Sequence, residues 1–209
     1  GNVLLFVPAA GSAISVSDSK LAQARKEVAE LTAQGVKRPV RAGMESASYN
    51  HQTQWRYGAP EYALADLEYM KHKQREHEST PLESYVEECC QTFLMEATHK
   101  ANYSEWVSVR QEYFSFQVND GDHVSGHGIA ENDMFGLLYM PSFDAADADV
   151  KEGEEKDPRA ILAEAFTDGF PMEVLEVFTQ PPQCYFSWRH WGAFTGSYKG
   201  VKGDGSRVE

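Results

Sequence analysis

His190 and Glu173 are the residues whose types and positions most suggest chemistry. An imidazole enclosed beside a carboxylate has its tautomer fixed and its pKa raised, and such a pair can serve as a general acid or base. The same pair can equally do no more than satisfy two buried polar groups. Arg189 and Glu176 offer a second opposite-charge pair in the same region. Elsewhere, Glu96 and His99 are three apart, a spacing that puts them on one face of a helix. His99 and Lys100 are expected to serve there as favourable company for the negative end of the helix dipole. "GDHVSGHG" brings Asp122, His123 and His127 close in sequence, which is a permissible metal triplet by residue type. Its glycines and lack of helical pattern guarantee no convergence, so no metal is expected. No Cys-x-x-Cys, phosphate loop, dinucleotide fingerprint or Gly-x-Ser-x-Gly elbow occurs, so no cofactor is expected and hydrolase-triad, kinase and dehydrogenase readings are weak.

The elements that must position these groups are legible from period and punctuation. From Pro171 onward the hydrophobic period is two. "MEVLEVFT" reads as one strand, "CYFSWRHWGAFTGSYKG" as a longer one, and "QPPQ" as the turn between them. Alternation sends Cys184, Phe186, Trp188, His190 and Gly192 to one face, expected to meet the helices, and Arg189 and Trp191 to the opposite surface. A turn centred between Pro181 and Pro182 sets Glu173 across from His190 and Glu176 diagonal to Arg189, and a one-residue slip undoes both pairings.

Upstream, residues 17–34 read as a helix with Leu21, Ala24, Val28 and Leu31 on one side, ended by Gly35 and Pro39. Residues 36–54 read as a surface linker. Pro60 opens a second helix (Leu64, Leu67, Met70) whose "KHKQREHE" end reads as solvated. Thr80, Pro81 and Glu83 announce a third helix, with Leu82, Tyr85, Val86, Cys89, Phe93 and Ala97 as its apolar stripe. "EYFSFQV", Glu112 to Val118, alternates like a strand. A short helix is expected over 131–138, a flexible acidic loop over 144–157, and a further helix from Pro158 with Ile161, Leu162 and Ala165 inward. The acidic loop lacks the glycine-centred spacing of a calcium loop.

Composition narrows the function classes. The chain has 209 residues, 42% of them hydrophobic and 12% aromatic, enough for a proper core. Its net charge of −13, from 19 basic and 32 acidic residues, repels phosphate backbones and anionic lipid, so nucleic acid is not an expected partner. Three cysteines without framework spacing point to a reducing, intracellular compartment, the cytoplasm or an organelle interior. The apolar start "GNVLLFVPAAGSAISV" is interrupted by Pro8, is short for a bilayer span and lacks a positive flank, so an arm that packs on its own domain or a neighbour is expected.

"WRYGAPEY", "MEATHK", "AFTDGFPMEVLEVFTQPP", "WRHWGAFTGSYKG" and "GSRVE" stand in the order and approximate spacing found in plant pathogen-related proteins. The chain resembles that group, which is similar to the SnoaL-like branch of the nuclear transport factor 2-like superfamily. The resemblance spans about residues 55–209 and leaves 1–54 as an N-terminal arm, helix and linker. It implies an α+β cone, a curved antiparallel sheet wrapped on helices, with an apolar pocket. The family continues past "RVE" with further strands, so an edge covered by more chain or by another subunit is expected here.

Three functions follow as expectations. One is a non-catalytic protein holding an apolar small molecule in a pocket lined by Phe93, Phe186, Trp188 and His190. Another is an accessory subunit docked in a larger assembly, homo- or hetero-oligomeric, through the sheet edge and the N-terminal arm. The third is a cofactor-independent isomerase or cyclase in which His190 shuttles a proton and Glu173 orients it.

Overall fold

Helix starts follow their capping chemistry. The computed structural model describes residues 2–4, 15–44, 53–56, 58–77, 81–118, 120–132, 162, 164–198 and 200–209. Helix α1, Asp18–Ala33, begins where the Ser17 side chain accepts the Lys20 N–H at 3.3 Å. It ends at Gly35, whose φ of 88° is the left-handed cap that glycine adopts freely. Helix α2, Ala63–His72, packs Ala63 and Leu64 on Leu21 and Ala24 of α1. Helix α3, Pro81–His99, has its proline at the first helical position, while Thr80 lies outside the described residues. Helix α4, Gly126–Asn132, starts earlier than its sequence suggests. Residues 133–161 and 163 lie outside the described residues, including the expected acidic loop and most of the expected helix after Pro158. No helix among the described residues is long and apolar enough to cross a membrane.

The strands form small antiparallel ladders, which makes the fold α+β. Strands β1 (Asn2–Leu4) and β2 (Ser15–Ser17) pair with each other, as do β3 (Ser115–Phe116) and β4 (Val124–Ser125). The strand expected over Glu112 to Val118 is therefore only two residues long. Strands β5 (Met172–Val177) and β6 (Phe186–His190) make the main hairpin. The remaining strands are β7 (Gly192–Ala193), β8 (Ser197–Tyr198), β9 (Val201–Lys202) and β10 (Arg207–Val208). They pair β7 with β10 and β8 with β9.

The single long strand expected over 184–200 is thus three short ones, β6, β7 and β8. The breaks lie at or beside glycines where another backbone comes too close for a side chain. A Cβ on Gly192 would stand 2.8 Å from the Gly169 carbonyl oxygen, and one on Gly196 would stand 1.6 Å from that of Glu164. Gly196→Ala is expected to lower stability by about 1–3 kcal/mol, read as a shifted denaturant midpoint at unchanged slope.

The hairpin register carries the main correction. Near the turn the pairs are Val177 with Phe186 and Glu176 with Ser187, as a turn centred on Pro181 and Pro182 dictates. The register then shifts between Val174 and Glu176, so Leu175 is the extra residue of a β-bulge. Beyond it Glu173 faces Arg189, and His190 faces Met172. The expected Glu173–His190 pair does not form.

The outer edge of β5 is capped by side chains at Met172 and Val174. Gln91 Nε2 donates to the Met172 carbonyl at 2.7 Å, the Val174 N–H donates to Glu87 Oε2 at 2.9 Å, and His77 Nε2 lies 2.7 Å from the Val174 carbonyl. Glu87 and Gln91 are one turn apart on α3, so the helix runs beside the strand as a substitute neighbour. Among the described residues, β6 pairs only with β5.

Candidate functional site

The β5–β6 hairpin separates two environments. On one face Met172, Val174, Val177 and Phe186 pack with Val86, Leu82 and Cys90 of α3. Burial pushes the Cys90 thiol up to about 12, so it behaves as a small apolar group. Trp188 and His190 continue this face. Trp188 is 54% exposed, and its ring meets His190 edge-on at 5.1 Å. His190 in turn stacks on Phe170 at 5.1 Å, and Phe170 stacks on Phe166 at 4.4 Å. The His190 Nδ1 lies 3.1 Å from the Pro171 carbonyl, so that nitrogen carries the proton. Burial lowers the His190 pKa, against the opposing pull of the Phe170 and Pro171 carbonyls.

Three of the four expected pocket residues, Phe186, Trp188 and His190, share this face. Phe93 does not join them. It belongs to a separate cluster with Ala97, Tyr103, Trp106 and Ile129, where it meets Trp106 at 5.9 Å and Phe114 at 5.5 Å. Its ring is spent on holding the segment after α3.

The opposite face, expected at the surface, is the more deeply buried one. Glu173 is fully buried, Arg189 is 6% exposed and Trp191 is fully buried. Glu173 Oε2 accepts Arg189 Nε–H at 2.8 Å, and Oε1 accepts the Gln74 and Arg75 N–H groups at 2.8 and 2.7 Å. Arg189 also donates to the His72 carbonyl at 2.7 Å, and its guanidinium lies over the Trp191 ring at 3.9 Å. Trp191 closes a core with Tyr69, Met70 and Val28. The charged segment after α2 is only partly a solvated end: Gln74, Arg75 and Glu76 are exposed, but the side chains of Lys73 and His77 are 7% and 10% exposed.

A second carboxylate, Glu87, was not singled out by sequence reasoning. Its Oε1 accepts the Tyr69 hydroxyl, its Oε2 accepts the Val174 N–H, and His77 Nε2 stands 3.8 Å away. Burial raises the Glu87 pKa, while the Tyr69 bond works the other way. The Tyr69 phenol is pushed up, chiefly by burial and then by the Glu87 charge. With both oxygens engaged, Glu87 fastens α3 to α2 and β5. The available signal was two polar residues one turn apart, Glu87 and Gln91, inside a helix whose neighbours Val86 and Cys90 are apolar. Beside Glu87 opens a cleft of about 80 Å³, lined among others by Lys37, Arg38, Lys73, Arg75 and His77.

The other titratable candidates have structural partners. Glu96 is fully buried and accepts from Lys100 Nζ at 2.8 Å, the Val107 N–H at 2.7 Å and the Ser108 N–H at 3.0 Å. Lys100 is thus an ion-pair partner and not only company for the helix dipole. Burial, with Arg56 and Arg41 nearby, pushes His99 down to about 4, so it is neutral at pH 7 and brings no charge to the helix end. Arg41, expected on a surface linker, is 6% exposed and donates to the fully buried Asp66 at 2.9 Å. His123 Nδ1 lies 2.7 Å from Ser115 Oγ, while His127 stands edge-on to the Tyr103 ring at 4.8 Å. No group of three or more potential metal-ligating side chains converges among the described residues.

No family model matches the chain, and no solved structure matches it. A pathogen-related protein of Hordeum vulgare is 30% identical over 170 residues, which cover 75% of this chain and 69% of that protein. That aligned stretch is longer than any segment confined to the hairpin, so the likeness extends to the helices as well as the strands. On that identity and coverage, the chain belongs to the pathogen-related protein family.

Proposed function

We propose that this protein holds an apolar small molecule without transforming it, on the aromatic face of the β5–β6 hairpin, with Trp188 as the stacking platform. The observation that carries the reading is a tryptophan 54% exposed yet braced edge-on by His190. A rigid, half-exposed indole offers a planar apolar ligand a large contact at small entropic cost. A non-catalytic role is favoured because Glu173 is committed to Arg189, which leaves His190 without an orienting carboxylate. The Nδ1 proton of His190 is likewise engaged by a backbone carbonyl. The Pro-Pro hairpin and the "WRHWG" stretch support assigning the scaffold to the SnoaL-like branch of the nuclear transport factor 2-like superfamily.

The test uses an uncharged planar dye whose fluorescence rises in apolar surroundings, titrated into the full chain. Covering the exposed half of an indole, about 100 Å², contributes about 2 kcal/mol, so Trp188→Ala is expected to weaken binding more than tenfold. Phe93→Leu, in the other cluster, is expected to leave the affinity unchanged. Absence of saturable uptake, or equal affinity in Trp188→Ala, would defeat the reading.

A further inference from the structure

The cleft beside Glu87 is distinct from the aromatic face and carries an unusual charge arrangement. The chain as a whole is strongly acidic, with a net charge of −13. Lys37, Arg38, Lys73 and Arg75 nevertheless converge on this one concavity, with His77 among them, against Glu76, Glu87 and Glu88. Glu87 is already engaged by Tyr69 and the Val174 N–H. Arg38 donates at 2.7 Å to Asp66, a carboxylate that Arg41 also holds, so much of its five-donor fork remains to spend. Arg75 has no ion pair among the described residues, and its backbone is pinned by Glu173.

Lys73 is the informative residue. Its side chain is 7% exposed, and a desolvated ammonium needs a counter-charge. The partner is Glu76 at 2.7 Å, whose own side chain is 64% exposed and only three residues away. A carboxylate mostly in water, held by one exposed contact, is weakly retained. Behind the ammonium the Tyr69 ring centroid lies 5.9 Å away. A buried cation is thus satisfied by a largely exposed internal anion that an external one can replace. The volume decides how large that anion is: about 80 Å³ is well below the ~300 Å³ at which pockets begin to enclose drug-sized ligands.

We propose that this cleft binds a small anionic group, a carboxylate or a phosphate, which displaces Glu76 from Lys73 and is gathered by Arg75 and Arg38. Lys73 supplies the fixed charge, and the two guanidinium groups supply paired donors.

The test is calorimetric titration of the full chain with sodium phosphate and, separately, with sodium acetate, against sodium chloride at equal ionic strength. Saturable binding of phosphate alone identifies a phosphate site, and saturable binding of acetate alone identifies a carboxylate site. Glu76→Gln removes the internal competitor while keeping the shape of a side chain that is 64% exposed; with an unchanged far-ultraviolet circular dichroism spectrum to show that it folds, it is expected to tighten the binding about fivefold or more. Lys73→Met is expected to weaken it at least tenfold, as loss of a charge-assisted contact does. Trp188→Ala is expected to leave anion affinity unchanged, which separates this site from the aromatic one. No saturable binding of either anion beyond the chloride control, or an unchanged affinity in Glu76→Gln, would overturn the proposal.

Discussion

Replacing Glu173 with alanine is expected to destabilise the fold by about 3–5 kcal/mol, the range for removing one partner of a buried ion pair. Glu173 is fully buried and takes three donors, Arg189 Nε–H and the N–H groups of Gln74 and Arg75. Without it, the Arg189 guanidinium stays buried with only the His72 carbonyl at 2.7 Å and the exposed Glu209 carboxylate at 3.3 Å. The two N–H groups after α2 lose their acceptor at the same time. The double replacement Glu173→Leu with Arg189→Met is expected to recover part of the loss, because the penalty lies mostly in the orphaned charge. Glu209→Gln is expected to change stability by less than about 0.5 kcal/mol, since that partner is 53% exposed. Denaturant unfolding measures all three. A loss below about 1 kcal/mol in Glu173→Ala would show that water reaches the pair.

Acidification is expected to destabilise the protein through His99. Burial, aided by Arg56 and Arg41, lowers this imidazole from its ordinary 6.5 to about 4 in the fold. Between those values the unfolded chain binds the proton and the folded chain does not. Stability therefore falls as pH drops from 6.5 to 4, by up to ~1.4 kcal/mol per unit and about 3 kcal/mol in all, and levels off below. His190, also lowered by burial, acts in the same direction. Glu87 acts oppositely: burial raises its pKa from 4.5, so the folded state keeps a proton that the unfolded state has lost, and stability falls as pH rises through that window. His99→Gln is expected to flatten the acid slope by most of its magnitude. An unaltered slope in that variant, from unfolding curves taken between pH 4 and 7, would rule out His99 as its source.

The parts of this fold that were legible in the sequence are those fixed by local chemistry. Ser17 and Pro81 announce their helices because capping and the fixed φ of proline act within one turn. The hairpin around Pro181 and Pro182 is legible for the same reason. Its register is not, because nothing in Leu175 itself marks a bulge. The bulge suits a strand whose edge groups are taken by Glu87 and Gln91, almost ninety residues earlier. The faces of β6 were read from hydrophobicity, which ranks tryptophan above arginine for burial. The Glu173 carboxylate inverts that order, leaving Arg189 buried and Trp188 half in solvent. His77 looked solvated because its partner, the Val174 carbonyl, is almost a hundred residues away, and Lys73 because its burial comes from packing against the Tyr69 ring and not from its own charged neighbours. The candidate cleft was invisible in the sequence, whereas alternation placed Phe186, Trp188 and His190 on one face and missed only that Phe93 packs elsewhere, with Trp106 and Phe114 beyond the helix that carries it.

The three side chains that plug β5 also limit how molecules of this protein can associate. A ribbon with two bare margins can be extended at both, one copy after another, without end. Here one margin has its donors and acceptors already taken by Gln91, Glu87 and His77. At Met172 and Val174, β5 therefore offers an incoming strand few free backbone partners, which disfavours extension of the hairpin on that side.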